Sequence, residues 1–297
     1  MNRGIVIKST GSRYVVKDTQ GCYVECLIGG KLRIKDSKIT NPITVGDYVS
    51  FEINGAFGII KNIEQRKNYI IRKSSNLSKQ AHIIAANIDL AVLIVTVNYP
   101  PTLTTFIDRF LVTAEAYRIP AAIFFNKTDL LNEEELEYNN ALIHIYSQIG
   151  YPCHAISIEK EINLSKVREV MQGKICLLSG HSGVGKSSLI HYLDPTKNIR
   201  ISPISDATNK GKHTTTHSEM FELENNTFII DTPGIKGFGV IDLNKEEVYH
   251  FFPEFFQLSK NCQYYNCTHL HEPNCAVKDA LDKDLISISR YNSYLSI

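Results

Sequence analysis

The chain has no long apolar run. Its longest, Ala91 to Val97, is far too short to span a membrane. The opening stretch, Met1-Asn2-Arg3-Gly4-Ile5-Val6-Ile7-Lys8, lacks the apolar core of a secretory signal, so a cytoplasmic protein with no membrane partner is expected. Nor is there an excess of one charge. The 32 Lys+Arg and 31 Asp+Glu leave a net charge of +1, so any nucleic-acid footprint must be local. An even set of cysteines is missing as well: the count is seven, which argues against a disulfide scaffold. Three of the seven crowd near the C-terminus. Cys22 and Cys26, four apart on an expected strand, would share a face as packing or surface thiols. The remaining composition, 43% apolar and 21% charged in 297 residues, is that of a globular chain with room for two or three domains.

Against that background one stretch stands out. Gly180, His181, Ser182, Gly183, Val184, Gly185, Lys186 and Ser187 carry the pattern G-x-x-x-x-G-K-[S/T]. An apolar run, Ile175 to Ser179, precedes them and a helix-periodic run, Ser188 to Leu193, follows. Strand, glycine-rich loop and helix are the context in which this pattern binds phosphates. The glycines let backbone N–H groups turn inward, and the helix N-terminus adds partial positive charge. Lys186 would reach the β- and γ-phosphates, Ser187 would hold Mg²⁺, and Ser188 would join the phosphate contacts.

A second motif precedes the first in the chain. Ile88 to Val97 reads as a strand buried on both faces, followed by a helix with Phe106, Phe110, Leu111 and Ala114 at helical spacing. Ala121 to Phe125 is another buried strand, and it ends in Asn126-Lys127-Thr128-Asp129, the pattern N-K-x-D. A carboxylate accepts two hydrogen bonds from guanine's N1–H and exocyclic amine. Adenine offers no such pair, so Asp129 would select GTP over ATP. The Lys127 stem would pack on the base, and Asn126 would tie the loop to neighbouring backbone. A helix over about 133–149 leads to Ala155-Ile156-Ser157, where Ser157 is expected to give a backbone contact to the guanine oxygen.

After the phosphate loop come Gly211 to His217, a threonine-rich loop, and Asp231-Thr232-Pro233-Gly234, the pattern D-x-x-G. Thr215 is the favoured switch ligand to Mg²⁺, Asp231 would hold the ion through water, and the Gly234 N–H would meet the γ-phosphate. In an ordinary GTPase the phosphate loop and D-x-x-G precede N-K-x-D. Here the base-side motifs come first, so the GTPase domain is circularly permuted and leaves its second switch straight into the tail. Ile235 stands where Ras-like proteins place a water-orienting glutamine, which predicts slow unaided turnover and need of a partner. His213 is the candidate catalytic group that would orient the water.

Five short β-rich runs separated by Gly, Asn and Ser turns fill the N-terminal part, as in an OB-type barrel. Ten Lys/Arg against six Asp/Glu in residues 1–66, with Lys31, Arg33, Lys35 and Lys38 in one loop near Tyr14, Tyr23 and Tyr48, suggest RNA as its ligand. Arg66, Lys67, Arg72, Lys73 and Lys79 read as a basic connector at a domain boundary. Near the C-terminus, Cys262, Cys267 and Cys275 with His269 or His271 form a Cys₃His set suited to structural zinc. Helices over about 243–256 and 277–295 would flank it.

The whole chain resembles the circularly permuted, ribosome small-subunit-dependent GTPase A family of bacteria, the RsgA or YjeQ type. The resemblance rests on the permuted motif order, on Gly211-x-His213-Thr214-Thr215-Thr216, on Asp231-Thr232-Pro233-Gly234-x-x-x-Phe238-Gly239, and on Cys262-x₄-Cys267-x-His269-x-x-Glu272-Pro273-x-Cys275. It implies an OB-type RNA-binding domain (1–68), a circularly permuted α/β P-loop GTPase (69–240) and a mainly helical zinc-binding domain (241–297), with His269 as the fourth zinc ligand. It also implies a monomeric enzyme that hydrolyses GTP to GDP during late maturation of the 30S subunit. The subunit, through 16S rRNA and proteins, would stimulate turnover, and turnover would be linked to release of an assembly factor. The alternative expectation is a GTP-regulated RNA-binding protein whose hydrolysis is incidental.

Overall fold

The computed structural model describes residues 1–30, 32, 42–73, 81–196, 219–231 and 243–297. In chain order its elements begin with β1 (Asn2–Ser9), β2 (Arg13–Asp18), β3 (Tyr23–Ile28), β4 (Tyr48–Asn54), β5 (Phe57–Ile63), β6 (Tyr69–Lys73) and β7 (Ala81–Ala86). There follow β8 (Leu90–Val95), α1 (Thr104–Ala116), β9 (Ala121–Phe125), α2 (Glu133–Ile149), β10 (Cys153–Ala155) and α3 (Leu164–Met171). Then come β11 (Ile175–Ser179), α4 (Lys186–Leu193), β12 (Glu219–Glu222) and β13 (Phe228–Asp231). The tail holds α5 (Pro253–Ser259), α6 (Ala276–Asp282) and α7 (Ile288–Ser296). Among the described residues no helix is long and apolar enough to cross a membrane. The chain divides into two compact units. One takes the described residues within Met1–Ala91, Arg168–Ser179 and Lys186–Lys236, the other those within Val92–Val167, Gly180–Gly185 and Gly237–Ile297.

In the first unit the five N-terminal strands close on themselves. β1 pairs antiparallel with β2 and β4, β2 with β3, and β4 with β5. A parallel β3–β5 pairing, Cys26↔Gly58 to Ile28↔Ile60, completes the barrel. Alternation explains which side chains go inward, since successive residues of a strand face opposite sides. Val6, Tyr14, Val16, Cys26, Val49, Phe51 and Ile60 fill the interior together with Ile43. Cys22 precedes β3 and is exposed while Cys26 is buried, so the two thiols do not share a face as expected.

Part of the basic connector is strand, since Arg72 and Lys73 belong to β6, while Lys79 lies outside the described residues. β6 and β7 form an antiparallel hairpin, with Tyr69 opposite Ala86. Arg66 is not a solvated charge. Its guanidinium donates to both oxygens of the fully buried Asp47, at 2.6 and 2.7 Å, and to Pro42 O. A basic run gives no hint of this, because its carboxylate partner lies nineteen residues earlier.

Beyond the barrel, the Lys8 end of β1 meets Glu219 of β12. β12 is antiparallel to β13, and β13 is parallel to β11 (Ile175↔Phe228 to Leu177↔Ile230). Lys8 binds Glu219 at 3.1 Å, while Glu222 takes both Lys17 and the Tyr23 hydroxyl.

In the second unit the strands lie in the order β10–β9–β8, with β10 parallel to β9. β8 and β9 are buried along their whole length, as the continuous apolar runs require of a covered parallel sheet. α2 begins at a capping box. The Glu135 N–H donates to Asn132 Oδ1, and Glu135 Oε2 accepts from the Asn132 N–H. The tail packs Phe252, Phe255, Val277 and Tyr294 with Val112 of α1 into one cluster.

The tail helices differ from expectation. Pro253 has no N–H for a helix interior but suits a first turn, so a 3₁₀ turn over Val248–Phe251 gives way to α5. The final helix is split, and Ser287 caps α7 through the Ser289 N–H.

Arg290 of α7 is 1% exposed and binds three carboxylate oxygens. It donates to Asp108 Oδ1 of α1 at 2.7 Å and to Glu254 at 2.7 and 3.1 Å. Tyr146 of α2 also donates to Asp108 Oδ1, at 2.9 Å. Removing one partner of such a group leaves buried charge uncompensated. Arg290→Ala is therefore expected to cost about 3–5 kcal/mol. A lowered thermal midpoint of tail unfolding, followed by limited proteolysis, measures it. An unchanged midpoint would show the pair to be solvated.

Candidate functional site

β11 ends at Ser179 and α4 begins at Lys186, with the glycine-rich loop between them. Two glycines are required by geometry. Gly180 has φ +142, and a Cβ there would stand 2.3 Å from Ile94 O. Gly185 has φ +107, and its Cβ would stand 2.3 Å from Asn126 Nδ2. Neither space admits a side chain. Val184 is buried and anchors the loop, while Ser182 and Gly183 face solvent. His181 stacks on Phe106 of α1 with ring centroids 3.9 Å apart. Lys186 is 6% exposed, and burial pushes its ammonium down to about 8. A buried cation at the start of a helix favours an anionic ligand beside it. Ser187 and Ser188 occupy the exposed first turn of α4.

The base-side motif is built around Asn126. Its N–H donates to Val95 O at 2.8 Å, and its side-chain amide donates to Val184 O at 2.8 Å. Its Oδ1 accepts from the Ile158 N–H at 3.2 Å. One side chain thus joins strand β9, the phosphate loop and the Ser157 turn. Thr128 fixes the next residue through N–H and hydroxyl bonds to Ile156 O, at 3.2 and 2.9 Å. Asp129 then presents a buried Oδ1 that has no hydrogen-bond partner among the described residues. An unpaired buried carboxylate oxygen is a place for donors from beyond the described residues. Ser157 is fully buried, but its N–H already donates to Ile162 O at 3.2 Å. Its Oγ accepts from the Lys160 N–H. Ser157 therefore shapes the turn, and its own N–H is not the free donor that the sequence suggested.

Asp231 ends β13 one residue beyond the Leu177↔Ile230 pair, so it emerges at the same end of the sheet as Ser179. His213, Thr215 and Gly234 lie outside the described residues, as do Lys31, Arg33, Lys35 and Lys38. Three contributors were not legible from motifs: Asn98, Tyr99 and Phe106. Lys127 donates through Nζ to Tyr99 O at 2.5 Å. A backbone acceptor leaves no trace in residue identity. The helical spacing that marks Phe106 says only that it packs.

In the tail, Cys262, Cys267, His269 and Cys275 bring one ligand atom each within 4.8 Å of one another. His269 Nδ1 lies 3.7 Å from Cys262 Sγ and 3.3 Å from Cys275 Sγ. His269 is fully buried, whereas His271 is exposed. Three sulfurs and one imidazole around a common centre fit a four-coordinate zinc ion and leave no open position for chemistry. Glu272 holds the ligand loop. It accepts from the Thr268 N–H and hydroxyl and from the N–H groups of Leu270 and His271. Burial opposes its charge, but these bonds keep its carboxyl at about 2. Tyr291 and Tyr294 of α7 donate to His269 O and Thr268 O, so the last helix braces the same loop.

Comparison with known proteins now decides the family. The RsgA GTPase family model matches residues 63–241, and the RsgA N-terminal domain model matches residues 3–60. The chain belongs to the RsgA GTPase family. A protein of Phocaeicola vulgatus named small ribosomal subunit biogenesis GTPase RsgA is 56% identical over 296 residues, covering 99% of this chain and 96% of its own. A relative of that name in Flavobacterium johnsoniae is 53% identical, covering 99% and 92%. Among solved structures, YjeQ from Thermotoga maritima is 33% identical with a TM-score of 0.82, covering 99% and 96%. YloQ, described as a circularly permuted GTPase, is 29% identical with a TM-score of 0.76, covering 99% and 92%. The chain is thus a GTPase of permuted order, with an OB-type barrel ahead of the P-loop domain and a helical Cys/His-bearing domain behind it.

Proposed function

We propose that this chain hydrolyses GTP while bound to the small ribosomal subunit, as a cytoplasmic monomer acting late in that subunit's maturation. The small subunit would stimulate turnover, and turnover would release an assembly factor. The observation that carries the reading is the Asn126 bridge, which brings the base motif and the phosphate loop onto one side chain. Its biological setting follows from relatives named small ribosomal subunit biogenesis GTPases.

In this reading the domains are 1–68, 69–240 and 241–297. Asp129 accepts from guanine, Lys127 covers the base, and the Ser157 turn borders it. The N–H groups of Gly180 to Gly185 cradle the phosphates, Lys186 reaches the β- and γ-oxygens, and the Gly234 N–H meets the γ-phosphate. Ser187, Thr215 and Asp231 would hold Mg²⁺. That ion, when bound, neutralises charge on the phosphate oxygens. Zinc is the metal we assign to the Cys₃His cluster, in a structural role. His213 would orient the attacking water.

Ile235 offers no group to orient water, so unaided turnover should be slow. Purified 30S subunits should raise kcat toward the roughly 10³–10⁵-fold that supplied groups contribute in other GTPases, with 50S subunits inert. His213→Ala should lower the stimulated rate by about 10²-fold or more while nucleotide affinity holds. An unchanged stimulated rate in that variant removes His213 from the reaction. Binding to 30S subunits without any stimulation would favour the second reading, a GTP-regulated RNA-binding protein, to which Ile235 also points.

A further inference from the structure

We propose that Asn98 and Tyr99, in the connection from β8 to α1, are positioning residues for Lys127 that set how long a guanine nucleotide stays bound. The proposal rests on the GTP-site reading above and names a part of that site which none of its motifs contains.

The geometry is specific. The Lys127 ammonium donates to Tyr99 O at 2.5 Å. Both ends of this bond sit on left-handed backbone, Lys127 at φ 64 and Tyr99 at φ 62. Non-glycine residues adopt that conformation rarely, and surrounding contacts must hold it. Asn98 supplies them for Tyr99. Its Oδ1 accepts from the Tyr99 N–H at 2.9 Å, and its Nδ2 donates to Glu135 Oε1 at 2.7 Å. Glu135 is itself fixed in the capping box of α2, the helix that follows the base motif. The far side of the connection is pinned as well, by Thr96 Oγ1 to Pro100 O and by the Thr102 N–H to Thr96 O. Pro100 lies against the phosphate loop, 3.5 Å from where a Cβ on Gly183 would stand. One short connection therefore touches both the base motif and the phosphate loop.

The consequence is preorganisation. A lysine stem laid over a base must give up its rotamer freedom when the nucleotide arrives. Here the ammonium is already tied down, so that ordering cost is met before binding. Loosening the Tyr99 carbonyl should return the cost to the bound state and speed release.

The test measures release of a fluorescent N-methylanthraniloyl GDP from the full chain by stopped flow. Asn98→Ala should release it roughly tenfold faster than the parent, as expected of losing the bond to the Tyr99 N–H and the bond to Glu135 that fixes Asn98. In a Lys127→Met background the same change should add less than about twofold, because contacting residues are not additive. Equal acceleration in both backgrounds would assign Asn98 a general structural role and overturn the proposal, as would no acceleration in the parent. If Asn98→Ala does not fold, Asn98→Asp replaces it in the cycle. It keeps the acceptor for Tyr99 but loses the donor to Glu135, and additivity with Lys127→Met again overturns the proposal. Parent protein that binds no guanine nucleotide would instead refute the site reading itself, and that arm is run first.

Discussion

Asp129→Asn should weaken GTP binding by roughly 10²–10⁴-fold. Two hydrogen bonds to a charged acceptor contribute about 1.5–3 kcal/mol each, and about 1.4 kcal/mol is tenfold. The asparagine amide would offer a donor where guanine's amine also donates, so one attraction becomes a clash of like groups. The position is sensitive because Asp129 Oδ1 is buried without a partner among the described residues. Thr128, the residue before it, is itself bonded to Ile156 O, so Asp129 has little freedom to swing aside. Xanthine carries a carbonyl in place of that amine, and the variant should gain affinity for xanthosine diphosphate as it loses GDP. Titration calorimetry with both nucleotides reads the exchange. Equal affinity of parent and variant for GDP would remove Asp129 from base recognition.

Removal of the tail metal should have the largest structural effect. Protein purified without chelator should carry about one equivalent of zinc, and Cys267→Ser should carry none. Structural zinc sites contribute about 10–16 kcal/mol of apparent binding energy, which is also folding energy. The tail should depend on it, because Cys267 and Cys275 lie inside its hydrophobic cluster. A cysteine binds the ion as thiolate, so metal uptake must expel protons. Loss of zinc should open 243–297 to protease and erase the tail's near-UV signal. Cys22→Ser, at an exposed thiol outside the cluster, should leave zinc and tail intact. Stoichiometric zinc in Cys267→Ser, or a tail that stays protease-resistant, would show that the cluster is not the staple.

Much of this was legible because chemistry or periodicity concentrated it in short stretches. The five barrel strands show alternation, and the two site motifs each place their residues within a few positions. Spacing marked the three cysteines and left His269 and His271 as alternatives, which the resemblance resolved to the buried His269. What escaped was set by partners far apart in sequence. Arg290 and Asp108 are 182 residues apart, and neither has a neighbour that announces a buried pair. The β6–β7 hairpin was masked by its basic character, although Arg66 finds its buried carboxylate outside it. β12 is four residues long and gave no periodic signal. Pro253 could have corrected the tail helix from sequence alone, since proline fits a first turn and not an interior. Tyr99 acts through a carbonyl, which no residue type encodes.

The strand pairing of β1 also has a consequence for synthesis of the chain. The Lys8–Glu219 link spans 211 residues. A ribosome adding about 5–20 residues per second leaves a gap of roughly 10–40 s between the two. The barrel can close in that interval, because β1 to β5 contain their own core. The Lys8 end of β1 then waits with an open edge, and an exposed edge invites pairing with stray chains. The residue that pairs with β12 there is a lysine, the residue that natural edges use to discourage such pairing. The nascent barrel thus carries its own guard until Glu219 is made.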